Sequence, residues 1–332
     1  MKNIKCLLLP VIVTGIIVLQ SCNSCNSKQK QDELTLADAS VVWWMAPGII
    51  AQADSLYSKN GLNVKAFDVQ TGLASKNAVL TGSADIGLVA TTPLALGAYN
   101  NDNLIVLCSY LQSGELISVV TTDDKDTAIF AKPQTPVAVV KGTISEIYLY
   151  NYLKNYYPNV VAEIMKIQLN VKPPDIPNTI KRNAKSACIW EPFASLMKAK
   201  DSTLKINRSP NVYIHRIYIV TTPKVLLEKR SAVDKFVKSF EMACQSIKTD
   251  KEKAQQSLLA KFPGQKLSML SLWDKVDFTI HYDYDNMKDL MLKDAEAMAD
   301  LQQTPPDGKG GFKRLEKNFF DKYFNHNFNQ KK

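Results

Sequence analysis

Histidine is scarce in this 332-residue chain: His215, His281 and His326 are the only three. They stand far apart, without the close ligand spacing of a zinc site. Asp283-Tyr284-Asp285-Asn286 begins like a calcium loop but lacks the glycine an EF-hand needs at its sixth position, and reads as a solvated helix start. Gly308-Lys309-Gly310-Gly311 is a turn, because no Gly-Lys-Ser/Thr completes a phosphate loop. There is no nucleophile elbow, no Cys and His pair of catalytic type, and no internal repeat. Past the first 21 residues no apolar run approaches the roughly 20 residues of a bilayer-spanning helix, so the body is expected to be water-soluble. Cys108, Cys188 and Cys244, the body's cysteines, are odd in number and embedded in apolar sequence. That excludes a complete disulfide framework and predicts buried thiols.

What is present begins at the N-terminus. Met1-Lys2-Asn3-Ile4-Lys5 is short and basic, Cys6 to Leu19 is continuously apolar, and Leu19-Gln20-Ser21-Cys22 follows. This order is that of a secretory signal peptide over residues 1–21. A small residue directly before cysteine resembles the bacterial lipobox, which implies diacylglycerol on Cys22 and cleavage just before it. Gln20 departs from the usual lipobox residue, which leaves plain secretion with cleavage elsewhere as the alternative. Residues 22–33 are polar, contain Cys25 as a spacer, and read as a flexible tether.

The remaining body, about 300 residues, exceeds the size at which one core keeps growing, so two lobes are expected. Its 45% hydrophobic and 22% charged composition is that of a globular protein. The formal charge of +9 falls to +7 when Lys2 and Lys5 leave with the leader. The excess lysines are dispersed, which argues against nucleic acid; an anionic membrane surface is the expected neighbour.

Strand and helix alternate from Leu34: a strand to Val42, a helix from Ile49 to Asn60, a strand from Leu62 to Val69, a helix near Ala74 to Leu80, and strands at Asp85–Val89 and Leu104–Tyr110. The pattern breaks over Thr121 to Pro136, resumes with Val137–Lys141, a helix from Ile144 to Tyr156, and strands at Ile164–Val171 and Ala187–Trp190, and meets a β-rich run at Val212–Val220. Such alternation predicts α/β architecture with mostly parallel sheets that receive ligands at the strands' carboxyl ends. The two breaks place lobe boundaries at 34–122 with 217–332, and at 123–216. Ala232, Val233, Phe236, Val237, Phe240, Ala243, Cys244 and Ile247 mark one face of a packed helix. Further helices are expected over Asn286–Gln303 and at the C-terminus.

Four segments in register carry a resemblance. Thr81-Gly82-Ser83-Ala84-Asp85-Ile86-Gly87, Ala90-Thr91-Thr92-Pro93, Lys141-Gly142-Thr143-Ile144-Ser145 and Trp190-Glu191-Pro192-Phe193 resemble motifs of the solute-binding proteins of nitrate, sulfonate, taurine and thiamine-precursor ABC importers. The resemblance spans Leu34 to about Ile247. It implies the type II periplasmic-binding-protein fold, two lobes joined by two chain crossings, no cofactor, a monomer, and an ABC permease and ATPase as partners at the extracytoplasmic face of the membrane. The family's lead into the second lobe is replaced here by Ala131-Lys132-Pro133-Gln134-Thr135-Pro136, and the segment before Trp-Glu-Pro by Asn183-Ala184-Lys185-Ser186-Ala187.

The candidate ligand contacts are helix starts after strands, where free amides and a partial positive charge suit anions. Thr91-Thr92-Pro93 is one, although the same tripeptide at Thr221-Thr222-Pro223 shows that it also marks helix starts in general. Thr143, Ile144 and Ser145 form the second, with Thr143 and Glu146 readable as a capping box; Glu146 is either that cap or a ligand contact. Trp43 and Trp44, expected at the end of the first strand, face opposite sides, so at most one of them walls the ligand, the alternative being that both pack within the lobe. Glu191 either caps the next helix or receives a ligand amine. Two acids near anion sites favour a zwitterion over a bare anion. The expectation is a solute-binding lipoprotein rather than an enzyme. An enzyme of the same fold (pyrimidine-synthase or menaquinone-pathway-like) and an orphan ligand-presenting lipoprotein are the alternatives.

Overall fold

The chain builds two five-stranded sheets with the same internal order. The computed structural model describes residues 31–39, 42–122, 130, 135–262 and 267–324. The leader, Cys22, Asp123 to Asp126 and His326 lie outside the described residues. The first sheet holds β1 (Asp32–Ala39), β2 (Leu62–Val69), β3 (Ile86–Ala90), β4 (Ile105–Ser113) and β10 (His215–Thr221), ordered β2-β1-β3-β10-β4. The second holds β5 (Ile117–Thr121), β6 (Val137–Val139), β7 (Leu169–Asn170), β8 (Ser186–Trp190) and β9 (Lys205–Asn207), ordered β7-β6-β8-β5-β9.

In each sheet the first three strands run parallel, as Leu36 opposite Ala66 and Ala138 opposite Leu169 illustrate. The fourth place goes to an antiparallel strand that has just crossed from the other sheet. β10 pairs Tyr218 with Val89 and Ile219 with Cys108, and β5 pairs Val119 with Cys188 and Val120 with Ile206. Every residue of β3, β5, β8 and β10 is buried, as expected of strands covered on both faces.

Twelve α-helices lie among the described residues: α1 (Val42–Ala53), α2 (Leu56–Lys59), α3 (Gly72–Leu80), α4 (Thr91–Tyr99), α5 (Ile144–Tyr156), α6 (Val161–Lys166), α7 (Ile176–Arg182), α8 (Phe193–Lys200), α9 (Pro223–Glu228), α10 (Arg230–Thr249), α11 (Lys251–Lys261) and α12 (Tyr284–Asp300). The face of α10 marked by its spacing is buried throughout and packs on α1 and the first sheet. α12 packs on α4 and also touches α5 of the second half. Gly87 admits α3 onto β3, since a Cβ there would stand 2.8 Å from Val79 Cγ2. Cys108, Cys188 and Cys244 are buried free thiols, and burial pushes Cys188 and Cys244 well above the usual thiol range.

Several boundaries differ from expectation. Ile117–Thr121 already belongs to the second sheet, so the first crossing runs through Gly114 rather than at Asp123. Apolar residues continue on both sides of Ser113-Gly114-Glu115 and disguise the change of sheet. The return lies between Asn207 and His215. At the two crossings the chains touch: a Cβ on Gly114 would stand 2.6 Å from the Pro210 carbonyl oxygen. β1 starts at Asp32, inside the expected tether, because Asp32 and Glu33 pair with Leu62 and Asn63. Helix α1 starts at Val42, seven residues before its expected start at Ile49, so Trp43 and Trp44 occupy a helical first turn instead of a strand end. The expected strand at Ile164–Val171 is helix α6 followed by the two-residue β7.

Candidate ligand-binding cleft

Five segments meet where the two halves face each other. α1 supplies Trp44; the turn after β2 supplies Thr71, Gly72 and Leu73; the β3–α4 junction supplies Ala90 and Pro93. From the second half come Thr143 and Ile144, after β6, and Trp190, the last residue of β8. Together they enclose a cavity of about 30 Å³. Four of the five segments are carboxyl ends of strands, where α/β sheets receive ligands. Gly72 is required by close approach: a Cβ there would meet the Trp44 ring at 3.0 Å and the Ala90 amide nitrogen at 3.3 Å.

Three helix N-termini converge here. Thr71 caps α3 by accepting the Ala74 amide at 3.2 Å, and Thr143 caps α5 by accepting the Ser145 amide at 3.3 Å. α4 differs, because its N-cap is Ala90 and no side chain caps it. Helix starts carry free amides and partial positive charge, and an uncapped one facing a cleft can receive an anion. Across the cavity Trp190 is 7% exposed, and its indole Nε1 has no hydrogen-bond partner among the described residues. A buried donor left unpaired costs about 1–3 kcal/mol, so a ligand acceptor at this point would be favoured.

The expected contacts divide. Trp44, Thr143 and Ile144 line the cavity. Trp43 is fully buried against Trp273, with ring centroids 5.9 Å apart, so Trp44 is the indole of the pair that walls the cavity. Thr91 donates to the Tyr218 hydroxyl at 3.4 Å. Thr92 donates to Asp294 Oδ2 at 2.7 Å, and Tyr213 donates to the same oxygen at 2.9 Å. Both threonine hydroxyls are thus engaged in the core, and neither residue lines the cavity, which is reached from this segment by Ala90 and Pro93. Ser145 Oγ donates to the Cys188 carbonyl at 2.8 Å and accepts the Val140 amide at 3.0 Å, which ties α5 to β6 and β8. Glu191, beside a cis peptide bond to Pro192, pairs with Arg208 and accepts the Ser195 amide at 3.1 Å, capping α8. Glu146 accepts the Gly142 amide at 2.9 Å. The expected capping box is shifted by one residue, and Glu146 is a cap.

A family model described as NMT1-like matches residues 28–261, well over half of the chain. The chain belongs to the NMT1-like family. No curated protein matches its sequence. Among solved structures, this NMT1-like chain is similar to the periplasmic aliphatic sulphonate binding protein SsuA from Escherichia coli, with 14% identity, 83% of this chain and 94% of that chain covered, and a TM-score of 0.70. The alkanesulfonate-binding protein SsuA from Xanthomonas axonopodis pv. citri, bound to MOPS, gives 12% identity, 83% and 96% coverage, and a TM-score of 0.68. The periplasmic nitrate-binding protein NrtA from Synechocystis PCC 6803 gives 13%, 89% and 88%, and 0.62. The fold is therefore the periplasmic-binding-protein fold, with two α/β sheets flanked by helices.

Sequence reasoning overlooked Thr71, Gly72, Leu73 and Trp190 as cleft residues of this NMT1-like protein. Thr71 carried the same signal that picked out Thr143, a capping threonine directly after a strand. Trp190 stood in a recognised motif, but its acidic neighbour drew the assignment. Larger hollows lie elsewhere: an open one of about 940 Å³ beside the loop after α12, and a groove of about 510 Å³ between α5 and α12. There, however, Asp300 already accepts from the Tyr150 hydroxyl at 2.6 Å and from Arg314 at 2.6 Å, so its charges satisfy each other. No helix among the described residues is long and apolar enough to cross a membrane.

Proposed function

We propose that this protein is the extracytoplasmic solute-binding component of an ABC importer, held at the membrane through lipidated Cys22, and that it captures a small organic oxyanion between its two halves. The observation that supports the ligand class is that the uncapped start of α4 and Trp190, whose indole Nε1 has no hydrogen-bond partner among the described residues, line one cavity. Residues from both halves line this cavity, so a ligand that touched both would favour the shut form. The walls of Trp44, Leu73, Pro93, Ile144 and Trp190 suit an apolar tail on the ligand. Glu146 and Glu191 are both engaged in caps, which removes the reason for preferring a zwitterion and supports a sulfonate or carboxylate.

About 30 Å³ is the share of a single water in the liquid, so a sulfonate enters only if the halves part. The crossings in contact at Gly114 and Pro210 are the proposed hinge. Residues 32–116 with 215–324 then form one lobe and 117–207 the other. A permease and its ATPase are the proposed partners, and a monomer delivers the solute; no catalytic step belongs to this reading. Calorimetric titration with butanesulfonate, taurine, MOPS and nitrate tests it. Saturable binding of at least one sulfonate, stronger than nitrate, is expected. Failure of all four to bind, with an empty cleft by native mass spectrometry, would overturn the oxyanion assignment.

A further inference from the structure

A second pocket lies away from the cleft, between the first sheet and α1. It measures about 470 Å³ and is closed at one side by the end of α11, a volume typical of small-molecule sites. At its base Asp38 is 4% exposed, and its Oδ1 has no hydrogen-bond partner among the described residues. The hydroxyl of Tyr57, 5% exposed, is unpartnered in the same sense. Both face the gap beside Gly48: a Cβ on that glycine would stand 3.6 Å from Asp38 Oδ2 and 3.8 Å from the Tyr57 oxygen. Two buried polar groups left unsatisfied at the bottom of a roomy pocket are not explained by folding, which normally pairs them.

We propose that this pocket binds a primary alkylammonium ion, with Asp38 and Tyr57 accepting its N–H donors and the apolar wall of Met45, Ile49 and Val64 holding its chain. The acidic pair of Asp38 and Asp68 selects a cation over an anion. The charged and titratable groups around Asp38 are Asp68 on β2, Lys261 on α11, Tyr57 on α2, Tyr110 on β4 and Cys244 on α10. Burial, with Asp68 adding to it and Lys261 opposing, pushes Asp38 up to about 8. At neutral pH the empty pocket therefore holds a protonated carboxyl. The ammonium binds the carboxylate, and the displaced proton passes to solvent.

The test is calorimetric titration of the purified protein at pH 7 with n-butylammonium chloride, and with n-butanol as the neutral isostere. Expected are saturable binding of the amine, butanol weaker by about tenfold or more, and a heat that varies with the ionisation enthalpy of the buffer because a proton is released. Asp38→Asn should weaken the amine by at least about tenfold. Ala66→Phe, on the exposed strand lining the mouth, should do the same by filling the pocket, and it serves if Asp38→Asn does not fold. Trp190→Phe should leave amine binding unchanged. Absence of saturable binding, equal affinity in the Asp38 or Ala66 variant, butanol binding as well as the amine, or loss of binding in Trp190→Phe would each overturn the proposal.

Discussion

Trp44 Nε1 donates to His215 Nε2 at 3.2 Å, and the two rings lie 5.6 Å apart. The bond joins the first helix to the strand that returns from the second sheet. Because Nε2 accepts, the imidazole proton resides on Nδ1. Burial holds His215 down to about 3, so the ring stays neutral. In the unfolded chain it protonates near 6.5, so stability from this residue is lost as pH falls from about 6.5 towards 3, by at most about 1.4 kcal/mol per pH unit. His215→Gln keeps an acceptor for Trp44 and should flatten that acid loss in urea titrations between pH 7 and 5. Trp44→Phe leaves Nε2 buried and unpaired and should cost about 1–3 kcal/mol at pH 7.

Trp190→Phe separates the ligand role of the indole N–H from its packing. An aromatic ring is kept beside Phe193 and a buried donor without a partner is removed, at the loss of part of the indole's packing volume. Loss of packing and relief of the unpaired donor oppose each other, so stability by urea denaturation should change by no more than about 2 kcal/mol, while affinity for the bound oxyanion should fall by about tenfold. An unchanged affinity would place the ligand elsewhere.

Asp294 has the opposite pH signature to His215. Burial pushes it up to about 7 against the bonds from Thr92 and Tyr213. The folded state keeps a proton that the unfolded chain releases above about 3.8, so stability from this group falls as pH rises from about 4 to 7. Asp294→Asn can still accept from both hydroxyls. Relative to wild type it should gain stability with rising pH over this range, reaching a few kcal/mol by pH 8, read from paired urea midpoints.

Gly114→Ala tests the contact between crossings. Its Cβ would press on the Pro210 backbone, which cannot swing aside as a flexible side chain would. A loss of about 1–3 kcal/mol is expected, together with a changed solute affinity if these segments are the hinge.

Cys22→Ala should release the protein from the membrane fraction. Metabolic labelling with a fatty-acid probe should mark the wild type and leave the variant unlabelled.

The sequence by itself determined the element types wherever a local rule was sufficient. The period of α10, the threonine that starts α5 and most of the alternation of strands and helices are patterns among near neighbours and stand as read, whereas the strand expected at Ile164–Val171 is largely helix α6. Four segments in register were enough for the fold. Tertiary structure decided which sheet receives Ile117–Thr121, because an apolar strand has the same sequence whichever buried place it fills. It also decided which indole faces the cleft. Trp43 and Trp44 are adjacent in sequence, and only packing against Trp273 and His215 tells them apart. The carboxylates show the same limit: Glu191 and Glu146 looked like ligand groups until Arg208, the Ser195 amide and the Gly142 amide were brought to them. A polar side chain is free for a ligand only when the fold leaves it without a partner, and that is a property of distances between residues far apart in the chain.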